Sequence, residues 1–285
     1  MEHILCIAGP TASGKSSRSI EEALARGGEV ISVDSRQIYR GLDIGTEKIT
    51  LEEMRGVPHH LIDIREPEDP YSAGDFATDA ARLITGITAR GKLPILAGGT
   101  HFYFDALLRG LPAEVNADPA LRARLDMLSD DEIFARVRAK DPQRAAELDS
   151  RNRRRLIRAF EIIEAKGAVP RRAPRAARYD AEWLIIDPPR EELRTHIDAR
   201  LKSALNRGLI DEVRHVRGRV GDARVAELGL EYRVVGEYLR GERSEASLLP
   251  ALSAKLWQYA RRQKAWLRKL RAEATAVGQP RLDRS

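Results

Sequence analysis

The chain has 285 residues, 42% hydrophobic and 32% charged, with a net charge of +6. That length suits one sizeable α/β core with an insertion or a second small domain. No apolar run approaches the roughly 20 residues of a membrane span, and the first strand pattern begins at once, leaving no room for a signal peptide. A single cysteine, Cys6, excludes an internal disulfide and a cysteine-rich zinc module, so the expectation is a cytoplasmic protein.

The charge is unevenly placed. Ser150 to Arg178 carries a local balance of +8 and Lys255 to Arg271 one of +7, which leaves the remainder net negative. Two concentrated basic stretches on an acidic background suggest a polyanion docked at defined places. For either stretch alone, a solvated charged face is an equal reading.

In chain order, an apolar run from Ile4 to Ala8 predicts a buried strand. It is followed by Gly9-Pro10-Thr11-Ala12-Ser13-Gly14-Lys15-Ser16, which fits the phosphate-loop pattern G-x-x-x-x-G-K-[ST] at every position. A helix is predicted over Ser17 to Ala25. Glycines at 9 and 14 let successive N–H groups turn toward phosphate oxygens, and the helix N-terminus adds partial positive charge. Lys15 supplies a point charge and the Ser16 hydroxyl a ligand for Mg²⁺. The chain therefore binds a polyphosphate or pyrophosphate, without the loop saying which.

A second strand, Glu29 to Val33, delivers Asp34, Ser35, Arg36 and Gln37 to the edge where open α/β sheets bind ligands. The irregular stretch Ile38 to Lys48 beside it reads as a functional loop. His59-His60 invites a metal reading, but adjacent side chains on an extended segment point to opposite faces and no partner cluster stands at ligand spacing. A third strand is expected at Leu61 to Ile64. A helix starting at Ser72, with Asp75 forming an imperfect capping box, runs to about Ala89. A fourth strand, Leu93 to Ala97, ends in Gly98-Gly99-Thr100 and leads into a helix from Phe102 to Leu108. This alternation predicts a parallel sheet with crossover helices.

From about Pro112 the pattern becomes helical and Arg-rich to residue 166, and Pro170 to Arg178 reads as a connector. Trp183 to Asp187 then returns the chain to the sheet. Helices follow over Pro189 to Asn206, as short runs and loops in Asp211 to Gly241, and as a long basic helix from Ser247 to about Ala274. The last ten residues show little pattern. The fold class is thus α/β, with the core at 1–112 and 181–285 and a helical insertion at 113–180.

Taken together, these stretches resemble one family, the tRNA dimethylallyltransferases (tRNA isopentenyltransferases). The resemblance rests on GPTASGKS at 9–16, DSRQIYRGLDIGTEK at 34–48, PHHLID at 58–63, YSAGDF at 71–76 and GGT at 98–100. It continues through RRLIRAFE at 154–161, GLIDEV at 208–213 and YARRQKAWLR at 259–268. It implies a P-loop NTPase-like sheet and transfer of a dimethylallyl group from dimethylallyl diphosphate to N6 of the adenosine 3′-adjacent to the anticodon. The phosphate loop, residues 9–16, would hold the diphosphate with Mg²⁺ on Ser16, and Asp34 would be the general base for N6. Thr100 would stand near the bridging oxygen and the amine, with a helix N-cap as its structural alternative. Gln37 has the donor and acceptor to read an adenine edge. Arg200 is the best match for an arginine on the diphosphate, although Arg194 and Arg207 are close by.

Asp34, Ser35, Arg36 and Gln37, then Arg154, Arg155 and Arg158, and Arg261, Arg262, Gln263 and Arg268 would face the tRNA anticodon stem-loop. Trp266 reads either as a base-stacking residue or as core. Base flipping into a channel that excludes water is implied, as is a monomer. The sequence departs from the family pattern at His101-Phe102-Tyr103, at Gly229-Leu230-Glu231-Tyr232-Arg233 and at Ala265. Three other readings compete: an adenylate isopentenyltransferase, a P-loop kinase with a helical lid, and a non-catalytic RNA-binding protein. The first would not need two basic stretches; the second would turn over ATP; in the third Asp34 and Thr100 would be dispensable.

Overall fold

The computed structural model describes residues 1–111, 115, 117–170 and 177–276, with side chains up to 272. The expected connector at Pro170 to Arg178 and the unpatterned last ten residues lie largely outside the described residues. The chain forms two compact units, Met1–Arg109 with Ala177–Ser285, and Gly110–Ala176.

In the first unit, β1 (Glu2–Ala8), β2 (Gly28–Val33), β3 (His59–His60), β4 (Leu93–Gly98) and β5 (Tyr179–Ile185) form one sheet in the order β3-β2-β4-β1-β5. Every pairing is parallel. All six residues of β2 and the last five of β1 are buried, as expected of strands covered on both faces. Helix α1 (Lys15–Arg26) presses Ile20 and Ala23 onto Leu5, Ile7, Val30 and Ile95. Helix α2 (Ala73–Ala89) begins with a complete capping box. The Ser72 hydroxyl accepts from the Asp75 N–H at 3.2 Å, and the Asp75 carboxylate accepts from the Ser72 N–H at 2.8 Å. The shorter aspartate thus closes the box that looked imperfect in sequence. Helix α3 (His101–Arg109) follows β4.

Register decides where the site lies. Ala8 on β1 and Val33 on β2 both stand opposite Gly98 on β4. The residues that follow, Gly9, Asp34 and Gly99-Thr100, therefore leave the sheet level with one another at its carboxyl edge. Gly98 makes this possible: a Cβ there would stand 2.1 Å from the Val33 carbonyl oxygen.

The third strand is shorter and earlier than expected. Leu61 and Asp63 have φ of 62° and 54°, so the stretch Leu61 to Ile64 bends rather than extends. Its amides bond the functional loop instead, with Asp63 N–H to the Gln37 carbonyl at 3.1 Å and Ile64 N–H to the Ile38 carbonyl at 2.9 Å. Strand β5 starts earlier than expected because Tyr179 and Asp180 pair with Glu2 and His3.

Helices α8 (Arg190–Asn206), α9 (Leu209–Val225), α10 (Leu230–Leu239) and α11 (Leu248–Ala276) complete this unit. Where short runs were expected, α9 and α10 are substantial, with a break at Gly221, φ 74°. The four helices enclose Ile38, Tyr39 and Leu42 of the functional loop among Ile197, Leu201, Val213, Tyr232 and Leu252. Burying each of those three loop side chains contributes about 1.5–3 kcal/mol, so the loop is part of the core.

The second unit packs α4 (Pro119–Asp126), α5 (Asp130–Lys140), α6 (Pro142–Glu147) and α7 (Arg153–Lys166). Leu121, Leu125, Ile133, Val137, Leu156, Phe160 and Ile163 form its core. Each helix carries its own N-cap, Asp118, Ser129, Asp141 and Asn152 in turn. Such caps contribute about 1 kcal/mol each, which matters in helices this short.

Candidate active site

The phosphate loop leaves β1 and enters α1 through Gly14, whose φ of 83° is left-handed. Lys15 is folded over the loop, with Nζ donating to the Pro10 carbonyl at 2.5 Å. Burial pushes its ammonium down to about 8, reinforced by Arg200 and opposed by Asp34. The Ser13 hydroxyl is buried without a partner among the described residues. Ser16 is exposed at the start of α1.

Beside the loop, Asp34 is half-buried, and its Oδ1 accepts from the N–H groups of Arg36 at 2.7 Å and Gln37 at 3.3 Å. One carboxylate oxygen thus fixes the turn, and no partner is recorded for Oδ2 among the described residues. The Thr100 hydroxyl accepts the Ser35 N–H at 3.2 Å. This bond spans two strand ends and places the hydroxyl beside Asp34, rather than spending it on the helix cap that was its alternative reading.

Gln37 is committed to its own loop. Its Oε1 accepts from the Ser32 hydroxyl at 3.1 Å and its Nε2 donates to the carbonyls of Thr46 and Glu47. An adenine edge would have to compete with these bonds. The Lys48 ammonium, whose side chain is 5% exposed, bridges Asp43, Asp63 and the Tyr39 carbonyl. Glu212 on α9 accepts three successive N–H groups, from Asp43, Ile44 and Gly45, at 2.7–2.9 Å, and the Tyr232 hydroxyl at 2.6 Å. Nothing local in the sequence marks Glu212 as this loop's anchor.

Arg200 reaches the phosphate-loop segment. It donates to the Thr11 hydroxyl, to the Gly45 carbonyl at 3.3 Å and to Glu231 at 3.3 Å. The neighbouring Arg207 instead pairs with Glu47, and Arg194 is exposed. Glu231, within the segment that breaks the family pattern, was not singled out in sequence. Burial pushes its carboxyl up, against the pull of Arg200. His101 stacks on Trp266 with centroids 4.2 Å apart and planes 7° from parallel. Burial, then Lys15, push its imidazole down to about 4, so it is neutral at physiological pH. Trp266 also packs on Phe104 and Trp183 and donates to Asp105 at 3.3 Å, so it is half-buried within an aromatic cluster.

The residues expected to face RNA divide. Arg261, Arg262 and Arg268 are exposed on α11, whereas Lys264 and Arg271 of the same basic stretch bind Asp187. Gln263 requires a correction. It is 3% exposed and both ends of its amide are bonded inside the protein, to the Thr11 N–H at 2.8 Å and the Gly99 carbonyl at 2.9 Å. In the second unit Arg154 and Arg155 are exposed. Arg158 is held by Glu161 at 3.1 Å and by the Val115 carbonyl at 2.7 Å. Arg153, passed over in sequence, donates to the Leu125 and Asp126 carbonyls of α4, to the Leu128 carbonyl in the turn after it and to the Asp130 carboxylate at the start of α5. It thereby satisfies carbonyls at a helix C-terminus.

A parallel sheet whose phosphate loop lies level with an acid and a hydroxyl at two neighbouring strand ends defines a phosphate-loop group-transfer protein. Residues 37–270 match the family described as IPP transferase. The chain is 43% identical to the tRNA dimethylallyltransferase of Anaeromyxobacter sp. (strain K), over 95% of this chain and 92% of that one. It is 42% identical to that of Thermomicrobium roseum, over 94% and 84%. The full-length tRNA isopentenylpyrophosphate transferase of Bacillus halodurans superposes with a TM-score of 0.69 at 36% identity, over 94% of this chain and 87% of that one. A eukaryotic dimethylallyltransferase crystallised acting on tRNA gives 0.81 at 27% identity, over 94% and 70%. The chain belongs to the IPP transferase family.

Proposed function

We propose that this chain, a tRNA-modifying prenyltransferase, transfers a dimethylallyl group from dimethylallyl diphosphate to N6 of the adenosine 3′-adjacent to the anticodon, releasing diphosphate. The observation that supports the reading is the level register of β1, β2 and β4, which brings the phosphate-loop segment to the same sheet edge as Asp34 and Thr100. The allylic C–O bond breaks as a C–N bond forms, and the N6 proton passes to Asp34 Oδ2, the carboxylate oxygen not spent on the turn. Loop N–H groups, Lys15 and Arg200 stabilise the charge that grows on the departing diphosphate. Thr100 holds the bridging oxygen and the amine in line.

Mg²⁺ fits this donor set. No group of three or more His, Cys, Asp or Glu side chains stands ready for a metal among the described residues. Mg²⁺ is commonly held by substrate phosphates, waters and one or two protein oxygens, and the Ser16 hydroxyl would supply one, adding positive charge against the leaving group. Arg154, Arg155, Arg261, Arg262 and Arg268 are the positions offered to the phosphates of the anticodon stem-loop, with Ser35, Arg36 and Gln37 near the base. The reading carries with it a monomer acting in the cytoplasm. No helix among the described residues is long and apolar enough to cross a membrane.

The test is a single-turnover incubation with radiolabelled dimethylallyl diphosphate, Mg²⁺ and unmodified tRNA, with AMP and ATP as rival acceptors. Label is expected on tRNA alone. Asp34→Ala should reduce the rate by about a thousandfold with RNA binding retained. Label on free nucleotide, or none on any acceptor, overturns the assignment.

A further inference from the structure

The side chain of Gln263 joins the two halves of the site. Its Oε1 takes the Thr11 N–H of the phosphate loop and its Nε2 gives to the Gly99 carbonyl at the end of β4. Thr11 is also the residue whose hydroxyl receives Arg200. Gly99 precedes Thr100, whose hydroxyl holds the Ser35 N–H next to Asp34. A continuous path of hydrogen bonds and peptide links therefore runs Arg200–Thr11–Gln263–Gly99, then along the chain to Thr100, across its bond to the Ser35 N–H, and along the chain to Asp34.

The chemistry of the link is specific to an amide. It requires one acceptor and one donor at the two corners of a planar group; a carboxylate lacks the donor and a cation lacks the acceptor. The approach is close enough that a Cβ on residue 99 would lie 2.5 Å from Gln263 Nε2. The bond also removes the Thr11 N–H from the set that can face a phosphate, which leaves later loop positions to do so.

We infer that Gln263 is a positioning residue for the transfer reaction: it fixes the distance between the cradle of the leaving diphosphate and the Thr100–Asp34 pair that receives the amine. The inference rests on the prenyl-transfer reading. In a displacement that needs leaving oxygen, allylic carbon and amine in line, a misplacement of about 1 Å costs on the order of a hundredfold in rate. Gln263 touches neither substrate and acts through the two loops.

Three variants test it: Gln263→Met fills the volume with no bond, Gln263→Glu keeps the acceptor for Thr11 but loses the donor to Gly99, and Gln263→Asn keeps both groups on a shorter arm. Each is measured for thermal melting, for binding of inorganic pyrophosphate with Mg²⁺, for binding of an anticodon stem-loop RNA, and for single-turnover transfer at saturating substrates. Cooperative melting shows which variants are folded. The expected pattern is RNA affinity within about twofold of the parent and a transfer rate lowered about ten- to a hundredfold in all three. Pyrophosphate binding should weaken in Gln263→Met, which loses the Thr11 bond.

Two results overturn the inference. One is RNA affinity falling as far as in an Arg261→Ala control measured alongside while saturated transfer is unchanged, which would make Gln263 an RNA contact. The other is transfer unchanged in all folded variants. If the parent protein transfers label to no acceptor, the reaction assignment has failed. Pyrophosphate binding by Gln263→Met against the parent then still decides whether Gln263 braces the phosphate loop.

Discussion

Each unit of the molecule spends one glutamate on internal hydrogen bonds, and the two are satisfied by different chemistry. In the α/β core, Glu212 accepts three backbone N–H groups and a tyrosine hydroxyl and so holds the Asp43–Gly45 turn beside the site. In the helical insertion, Glu161, 1% exposed, takes Arg122 at 2.7 Å, Arg158 at 3.1 Å and the Asp118 N–H at 3.2 Å. Burial pushes its carboxyl up, yet these partners outweigh burial and its pKa lies below the usual carboxylate value. One carboxylate fixes a loop; the other consumes cations. A count of arginines therefore overstates what the insertion offers to a partner, since part of its charge is spent on the interior.

The largest expected effect separates those two roles. Glu212→Ala leaves three loop N–H groups and the Tyr232 hydroxyl without their acceptor and frees the turn whose Gly45 carbonyl bonds Arg200. Single-turnover transfer should fall about a hundredfold, with stem-loop affinity within about twofold. Equal losses in both measurements would show that the loop also carries RNA.

Glu161→Ala should do the reverse. Removing the carboxylate takes the acceptor from Arg122, Arg158 and the Asp118 N–H, which costs about 1–3 kcal/mol because both arginines keep access to water, so the melting transition should drop or split. Transfer at saturating RNA should stay within about threefold of the parent, because no bond to the sheet-edge site is broken. Loss of transfer in protein that remains folded would contradict the separation of roles.

The two regions also differ in how fixed their cations are. The Lys15 ammonium titrates near 8, whereas arginines stay charged throughout the accessible range. Below 8 the lysine is charged and attracts diphosphate; above it the charge is lost, and bound diphosphate opposes that loss. Pyrophosphate affinity should therefore fall about tenfold between pH 7 and pH 9, while stem-loop affinity stays flat. Parallel pH profiles by calorimetry check both halves of that statement.

What the sequence revealed follows the same division. The phosphate loop, Asp34 and Thr100 were legible because each sits in a contiguous motif at a strand end, and parallel register does the rest. The bend at Leu61 to Ile64 was hidden because its composition is that of a strand, whereas left-handed φ at Leu61 and Asp63 leaves no apolar signature. Helix α9 read as short runs because Gly221 interrupts its period. Glu212 and Gln263 were missed as anchors because the backbone groups they hold lie 164 residues or more away along the chain. A signal for Gln263 was present all the same. Leu252, Leu256, Ala260, Gln263, Leu267 and Leu270 form the buried stripe of α11, and a polar residue at a core position of a helical period requires a partner. Grouping it with the adjacent arginines obscured that.

The smallest expected effects test the claim that position, not residue type, decides which arginines are available. Arg155 is exposed, while Arg158, three residues along the same helix, is tied to Glu161 and the Val115 carbonyl. Arg155→Ala should weaken stem-loop binding about threefold and lower the slope of log affinity against log salt by about one, with melting unchanged. Arg158→Ala should lower the melting temperature and change the salt slope by well under one, since its charge is already neutralised within the protein. The salt slope is the decisive quantity because it counts released counterions and is indifferent to loss of fold in a fraction of the molecules. A full unit lost in Arg158→Ala would mean that RNA draws this arginine away from Glu161, and the buried carboxylate would then be left with Arg122 and the Asp118 N–H.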